Sequence, residues 1–491
     1  MSQSTIAVII IFVFAFIPLI LAEVARKNSV ATIEDFFIYS RKMPLLYAFC
    51  TIFATWYSAF AVLGSVASFY QNGPIYMTCF SWNVLFAVGI FHVGRRIWFY
   101  GNKGGYLTPS DFFQDIYGSP RVTILVTIIG LVFTVPYLQI QMFGGSYLLE
   151  VATSGDLPWR MTILVFYVIM VVYLWAGGLR SVALTDIFYS CLIFIVLLFT
   201  GIFLSNQAGG IETIFDNLTE TDINNVILSG EKPVHNVTLW LTMFVITPIG
   251  ALMGPPMWIR HYSIKEKKSF YILPLLIAAA TICYFGSLLA GNACKVLDPN
   301  IVDTDILLPN MIVKYGGILL VTVLMCGFFA AALSTANSQI HALSAIYMID
   351  IHRRYINPHA SDARLIYITK WVLLMISICT YFMTVMHSSR ILETGLLALS
   401  GTAQLIVPTL GAFFCKKSNE NGAFYGLLTG ILLLLTLRFP AGMEASFSGC
   451  ISLIANAVIF SLVSHYGKPN IRIREKIVQY KMDYEERLYI R

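Results

Sequence analysis

Ala331, Ser334 and Thr335 stand three and four residues apart in the run FAAALSTANSQ, so a helix puts all three on one face. Two hydroxyls and a backbone carbonyl then offer three neutral oxygens inside a stretch otherwise fit for hydrocarbon. A buried hydroxyl costs free energy unless something uses its oxygen. Neutral oxygens suit a hard monovalent cation such as sodium and avoid burying a formal anion. The bland alternative is that Ser334 and Thr335 bond back to the carbonyl four residues earlier, as hydroxyls often do in membrane helices.

A second run, FATWYSAFAVLGSVASFYQNG, places Thr55, Trp56, Tyr57 and Ser58 near its middle and Gly64 and Ser65 soon after. Small and polar residues there weaken helix continuity, and carbonyls freed by a mid-membrane break can coordinate an ion. Close helix packing is the competing explanation. A third run, ITPIGALMGPP, holds Thr247, Pro248 and Gly250. It reads as a second broken helix facing the first, or as a simple proline kink. Two such breaks would aim polar backbone at one midplane cavity. Trp56, Ser58 and Phe60 could line one wall and Gln404, from SGTAQLIVP, another; Gln404 also reads as a hydrogen bond between helices. Ser81 and Trp82 complete the candidates for the cavity. Asp186 is the clearest acid near the membrane interior, where a carboxylate defaults to a functional role. Its alternative is an ion pair with Arg180 or another loop base.

The elements that must position these residues are apolar helices. Of 491 residues 57% are hydrophobic and only 12% charged, about half the ~25% usual in soluble proteins. Thirteen apolar stretches cover 4–22, 45–70, 74–94, 122–150, 159–176, 183–205, 238–258, 270–292, 311–346, 366–387, 391–414, 422–438 and 445–465, and are numbered here as spans 1 to 13. Irregular backbone cannot face lipid, so each must be helical. The first lacks a basic leader and is followed by Arg26 and Lys27, which reads as a retained helix and not a signal peptide.

With the N-terminus outside, 26 of the 32 lysines and arginines fall on the inner face, Arg260 being counted with the inner loops. That asymmetry gives an N-out, C-in topology. The net charge of +6 thus belongs to cytoplasmic loops and not to a nucleic-acid surface. No Lys or Arg falls near mid-membrane in the core spans on this reading. An anionic solute would then rely on helix N-terminal amides, hydroxyls and the cation itself. The nine cysteines form no CxxC pair, and the eight histidines do not cluster with acids as a membrane enzyme would need. The expectation is a single transmembrane domain over 1–465, its core about 45–414, with a cytoplasmic tail over 466–491 and no enzymatic activity.

Three patches carry a resemblance: FATWYSAFAVLG in span 2, WAGGLRSVALTDIFYS at 175–190, and AAALSTANSQIHALSAIYMIDIHRR at 330–354. In this order, within thirteen spans, the chain resembles the sodium/solute symporter family of proline, pantothenate, sialic acid, monocarboxylate and sugar carriers. The resemblance implies an all-α polytopic membrane protein with a five-plus-five inverted-repeat core, spans 2–6 and 7–11, containing discontinuous helices. It implies a sodium site on the backbone of Ala54 and Tyr57 with Ala331, Ser334 and Thr335, and a role for Asp186 in guiding sodium and gating the inner exit. The implied activity is sodium-coupled import of a small organic solute (amino acid, monocarboxylate or pantothenate-like) across the cell membrane by alternating access. Partners are then the solute and membrane lipid, with no obligate protein partner. Proton coupling on the same fold, or a transporter-like sensor, are the rival readings. One departure stands out: Trp56 replaces the Asp or Asn that family members often carry there, which weakens close analogy with the proline and sugar carriers.

Overall fold

The computed structural model describes residues 3–152, 158–228, 233–316, 318–386, 390–467 and 471–489. Position 317 of span 9, position 387 of span 10, positions 229–232 between spans 6 and 7 and tail positions 468–470 and 490–491 lie outside the described residues. Among the described residues ten helices are by themselves long and apolar enough to cross a membrane, and the shorter apolar helices Leu45–Trp56 and Trp159–Val168 add to them. The protein is all-α, and its helices follow the thirteen apolar stretches.

Several spans are discontinuous. Span 2 runs as Leu45–Trp56, then a π turn at Phe60–Gly64, then Ser65–Asn72. Span 7 runs as Pro233–Met253 and Pro255–Ser263, parted at Gly254, whose ψ of 137° is extended. Prolines 255 and 256 follow at once; a proline lacks the amide that a continuing helix needs but suits a first turn. Spans 2 and 7 stand five apart and both break, as a five-plus-five architecture requires. Their inner ends are tied together. The Met43 amide donates to the Ser263 carbonyl and the Lys265 amide to the Met43 carbonyl, both at 3.0 Å.

Spans 5 and 6 run almost end to end as Trp159–Gln207, with the turn at Gly178. Its φ is +59°, and a Cβ there would lie 2.6 Å from the Phe36 carbonyl oxygen, so only glycine fits. Just beyond, Arg180 makes a forked pair with Asp35 at 2.7–2.9 Å. Asp35 lies in the short inner helix Ile33–Ile38, capped by the Thr32 hydroxyl. Arg180 is thereby committed to Asp35 and leaves Asp186 to other partners.

The tail does more than lie at the surface. Helix Ile471–Tyr489 docks under the inner end of span 3 and the helix Pro109–Tyr117. Lys476 pairs with Asp115, Lys103 with Asp483, the Tyr480 hydroxyl donates to Asp115 at 2.9 Å, and Arg95 donates to the Tyr484 hydroxyl at 2.6 Å.

Burial alone would raise the Asp35 carboxyl. Hydrogen bonds from Arg180, Ser40 and the Val30 amide outweigh it and hold the group below the usual carboxylate range. A depressed carboxylate stabilises fully above its unfolded value of ~3.9 and loses that contribution as pH falls through the folded value. Asp35→Asn is therefore expected to lower the melting temperature of purified protein at pH 7 and to flatten its dependence on pH in the acid range. Thermal unfolding at a series of pH values checks both.

Candidate functional site

The break in span 2 is a redirection of backbone amides. The helix closes with the Tyr57 amide on the Phe53 carbonyl at 2.9 Å, and Tyr57 then turns to φ −82°, ψ 65°. The Ala59 amide donates to Gln141 Oε1 of span 4 at 2.9 Å, and the Phe60 amide to the Ser58 hydroxyl at 3.2 Å. In an unbroken helix these amides would cap the carbonyls of Thr55 and Trp56. The Tyr57 phenol braces the turn from outside, donating to the Ala280 carbonyl at 2.6 Å and accepting from Asn83 at 2.9 Å.

Span 9 meets this break with hydroxyls. Ala331, Ser334 and Thr335 are fully buried. Thr335 Oγ1 reaches the carbonyl oxygens of Ala54 at 3.2 Å and Thr55 at 3.3 Å. Ser334 Oγ faces the Asp186 carboxylate. Neither hydroxyl back-bonds to its own helix; one turn on, Ser338 does, to the Ser334 carbonyl at 2.9 Å. The carbonyls nearest Thr335 are thus those of Ala54 and Thr55, with Tyr57 at the turn beyond.

Asp186 lies on the inner side of this cluster and is fully buried. Its Oδ2 accepts from the Thr51 hydroxyl at 2.6 Å, and the Ser334 hydroxyl faces the same carboxylate. The reading that counted Arg260 with the inner loops is revised here. Arg260 belongs to no loop: it is 0% exposed, in the inner half of span 7. Its Nε donates to Thr51 Oγ1 at 3.1 Å, its Nη1 to the Pro256 carbonyl at 3.0 Å, and its Nη2 to Ser338. The helix that follows the Gly254 break carries the side chain back into the core.

A cavity of about 40 Å³ lies between the two breaks, lined among others by Trp56, Tyr137, Gly250, Met257, Gln339 and Thr402. That volume holds a few waters, so an organic solute needs it wider. Trp56 stacks on Phe86 with ring centroids 4.7 Å apart, and its indole nitrogen is buried without a partner. Ser58 stands behind the cavity, 3.1 Å from the Tyr137 hydroxyl. Phe60 packs beside Tyr137, and Trp82 packs behind Phe60. Thr247 is buried with an unpartnered hydroxyl, outside the lining. Ser81 turns back to the Thr78 carbonyl at 2.6 Å. Gln404 does not line the cavity. It donates to the carbonyls of Ser400 and Gly449 and accepts from Asn456, joining spans 11 and 13. Tyr137, Gln339 and Thr402 were not singled out from sequence; the only signal was Pro136, which marks the bend beside Tyr137.

Over residues 36–430 the chain matches the sodium:solute symporter family. It belongs to that family. It is therefore a secondary transporter of a small organic solute, coupled to sodium, and a multi-pass protein of the cell membrane, not an enzyme. Among curated relatives, a sodium/pantothenate symporter of Haemophilus influenzae is 24% identical, with 87% of this chain and 89% of the relative aligned. The sodium-coupled monocarboxylate transporter 2 of Homo sapiens is 24% identical, over 92% of this chain and 75% of the relative. The fold superposes on a substrate-bound, outward-open Na+-coupled sialic acid symporter with a TM-score of 0.82 at 18% identity, covering 94% of this chain and 98% of that one.

Gly250 tests the cavity. A Cβ there would lie 2.2 Å from the Leu399 carbonyl oxygen, a backbone atom that cannot swing aside, whereas at Gly64 it would meet Ile391 at an ordinary 3.5 Å. Gly250→Ala is expected to abolish most solute uptake by forcing spans 7 and 11 apart, while Gly64→Ala keeps it. Uptake normalised to protein in the membrane reads the difference.

Proposed function

We propose that one sodium ion binds between the break in span 2 and the hydroxyl face of span 9. Its ligands are the carbonyls of Ala54 and of Thr55 or Tyr57, the Ala331 carbonyl, and the hydroxyls of Ser334 and Thr335. The observation that carries this reading is the Thr335 hydroxyl aimed at two span 2 carbonyls, beside a fully buried Ser334 hydroxyl that makes no bond to its own helix. Such oxygens are costly in a dry site unless a cation uses them. Asp186 stands on the inner side of this pocket and serves as the first stop of sodium toward the cytoplasm.

The solute cavity is the space between the two breaks, with Trp56 and Gly250 on its walls and Ser58, Phe60 and Trp82 supporting it through Tyr137. The solute class is an amino acid, a monocarboxylate or a pantothenate-like acid, in keeping with the relatives. Sodium holds spans 2 and 9 together and so shapes the wall that carries Trp56. Each ligand raises affinity for the other, as linkage demands. The inward potential contributes ~2.3 kcal/mol per charge per 100 mV. The transport domain is 1–465, and the tail clasps its inner face.

The test is uptake into proteoliposomes under an imposed sodium gradient. Wild-type protein accumulates solute only with sodium; a proton gradient alone driving it would favour the proton-coupled rival, and binding without accumulation would favour a sensor. Ser334→Ala with Thr335→Ala is expected to raise the sodium concentration for half-maximal uptake by roughly tenfold or more, about 1.4 kcal/mol, with the protein still folded. Unchanged sodium dependence in that double variant contradicts the assignment.

A further inference from the structure

A pocket of about 310 Å³ lies at the cytoplasmic boundary, apart from both the ion pocket and the solute cavity. That size falls at the lower end of ordinary small-molecule sites. Lys42, Met43, Pro44 and Leu45 line it from the inner end of span 2. Lys265, Glu266, Lys268 and Ile272 line it from the link between spans 7 and 8 and the first turn of span 8. The backbone pairing of Met43 with Ile264 joins the two sides.

The lining is basic. Three lysines face one carboxylate, which leaves two positive charges in excess. Glu266 is shared, 2.9 Å from Lys268 and 3.7 Å from Lys265. Arg41 is taken by Glu34 at 2.8 Å, and Lys42 beside it makes no ion pair among the described residues. All three lysines are exposed, so their charge is available to a ligand.

The same pocket opens onto hydrocarbon. Ile272 begins a stripe with Leu275 and Leu276, three and four residues on, along one face of the helix Ser269–Ala279. All three side chains are exposed, Leu275 at 69%, and Leu46 at the start of span 2 is exposed as well. Spans 2 and 8 pack against each other here, and both run from this boundary into the membrane. A soluble anion would use only the lysines, and a neutral lipid only the stripe. An anionic lipid uses both. Basic pockets between membrane helices on the cytoplasmic side suit such headgroups.

We propose that this pocket binds an anionic phospholipid of the inner leaflet, its phosphate on Lys42, Lys265 and Lys268 and an acyl chain along Ile272, Leu275 and Leu276. Lys42 stands on the approach to one broken span, and Lys265 and Lys268 on the segment that leaves the other. The bound phosphate therefore bridges the elements joined at Met43, and occupancy stabilises that joint. The proposal does not depend on the sodium reading, and its failure would leave that reading untouched.

The full chain is purified in neutral detergent, and its melting temperature is followed as phosphatidylglycerol or phosphatidylcholine with the same acyl chains is added. Phosphatidylglycerol is expected to raise it by roughly 3 °C more than phosphatidylcholine. Replacing the pocket lysines together (Lys42→Gln, Lys265→Gln, Lys268→Gln) is expected to erase most of that difference and leave the phosphatidylcholine curve unchanged. Replacing three other exposed inner bases (Arg364→Gln, Lys416→Gln, Lys417→Gln) is expected to keep it, which separates the pocket from the general attraction of a basic face. Equal melting of wild-type protein in the two lipids overturns the proposal. So does a pocket variant that keeps the full difference, or an equal loss in both variants. Inorganic phosphate or glycerol 3-phosphate reproducing the whole shift overturns the lipid assignment, because the stripe would then contribute nothing. If the triple pocket variant does not fold, Lys42→Gln alone replaces it: a partial loss of the difference supports the proposal, and no loss overturns it.

Discussion

Backbone carbonyls inside a membrane must find donors or cations, and the protein is organised around the few it leaves free. The helix of span 2 stops at Trp56 because the next amides are taken elsewhere, Ala59 by Gln141 and Phe60 by Ser58. The break is held from three sides: span 4 through Gln141, span 3 through Asn83 and span 8 through Ala280. Farther along span 2, Gly291 of span 8 lets the two backbones approach so closely that a Cβ on it would lie 2.7 Å from the Val66 carbonyl oxygen. Packing of this kind makes an interrupted helix a fixed feature of the fold, and the hydroxyl face of span 9 is then set against it.

A second constraint acts on charge. Few charged groups are fully buried in the core, and those that are sit in shared networks. Arg180 is committed to Asp35 at the inner surface, so it is not the partner of Asp186. Arg260 takes that place from the other broken helix, through Thr51. Both broken spans therefore contribute to one polar cluster beside the break in span 2, and their inner ends are joined by backbone bonds at Met43.

Much of this was legible in the chain. The apolar stretches, the two interruptions and the paired hydroxyls at 334 and 335 all follow from local residue types and periodicity. Arg260 was not legible, for a physical reason. It follows an apolar run and precedes Lys265, Lys267 and Lys268, so hydropathy reads it as the first loop base. Its burial depends on a helix restarting at Pro255, and its partners come from Thr51 and Ser338, far away in sequence. Gln404 posed the same problem in reverse: an amide in an apolar helix can face a cavity or another helix, and only Asn456, 52 residues on, settles it. Tyr137 carried no signal of its own beyond the neighbouring Pro136, because an aromatic in a membrane helix is ordinarily packing.

The most direct test of the central claim is a pair of high-resolution maps of the same protein, one in sodium chloride and one in choline chloride. A dehydrated sodium ion predicts a density peak in sodium alone, in contact with the Ala54 carbonyl and with the hydroxyls of Ser334 and Thr335. A peak of equal strength in choline, an empty site in sodium, or a continuous helix through 54–58 would contradict it.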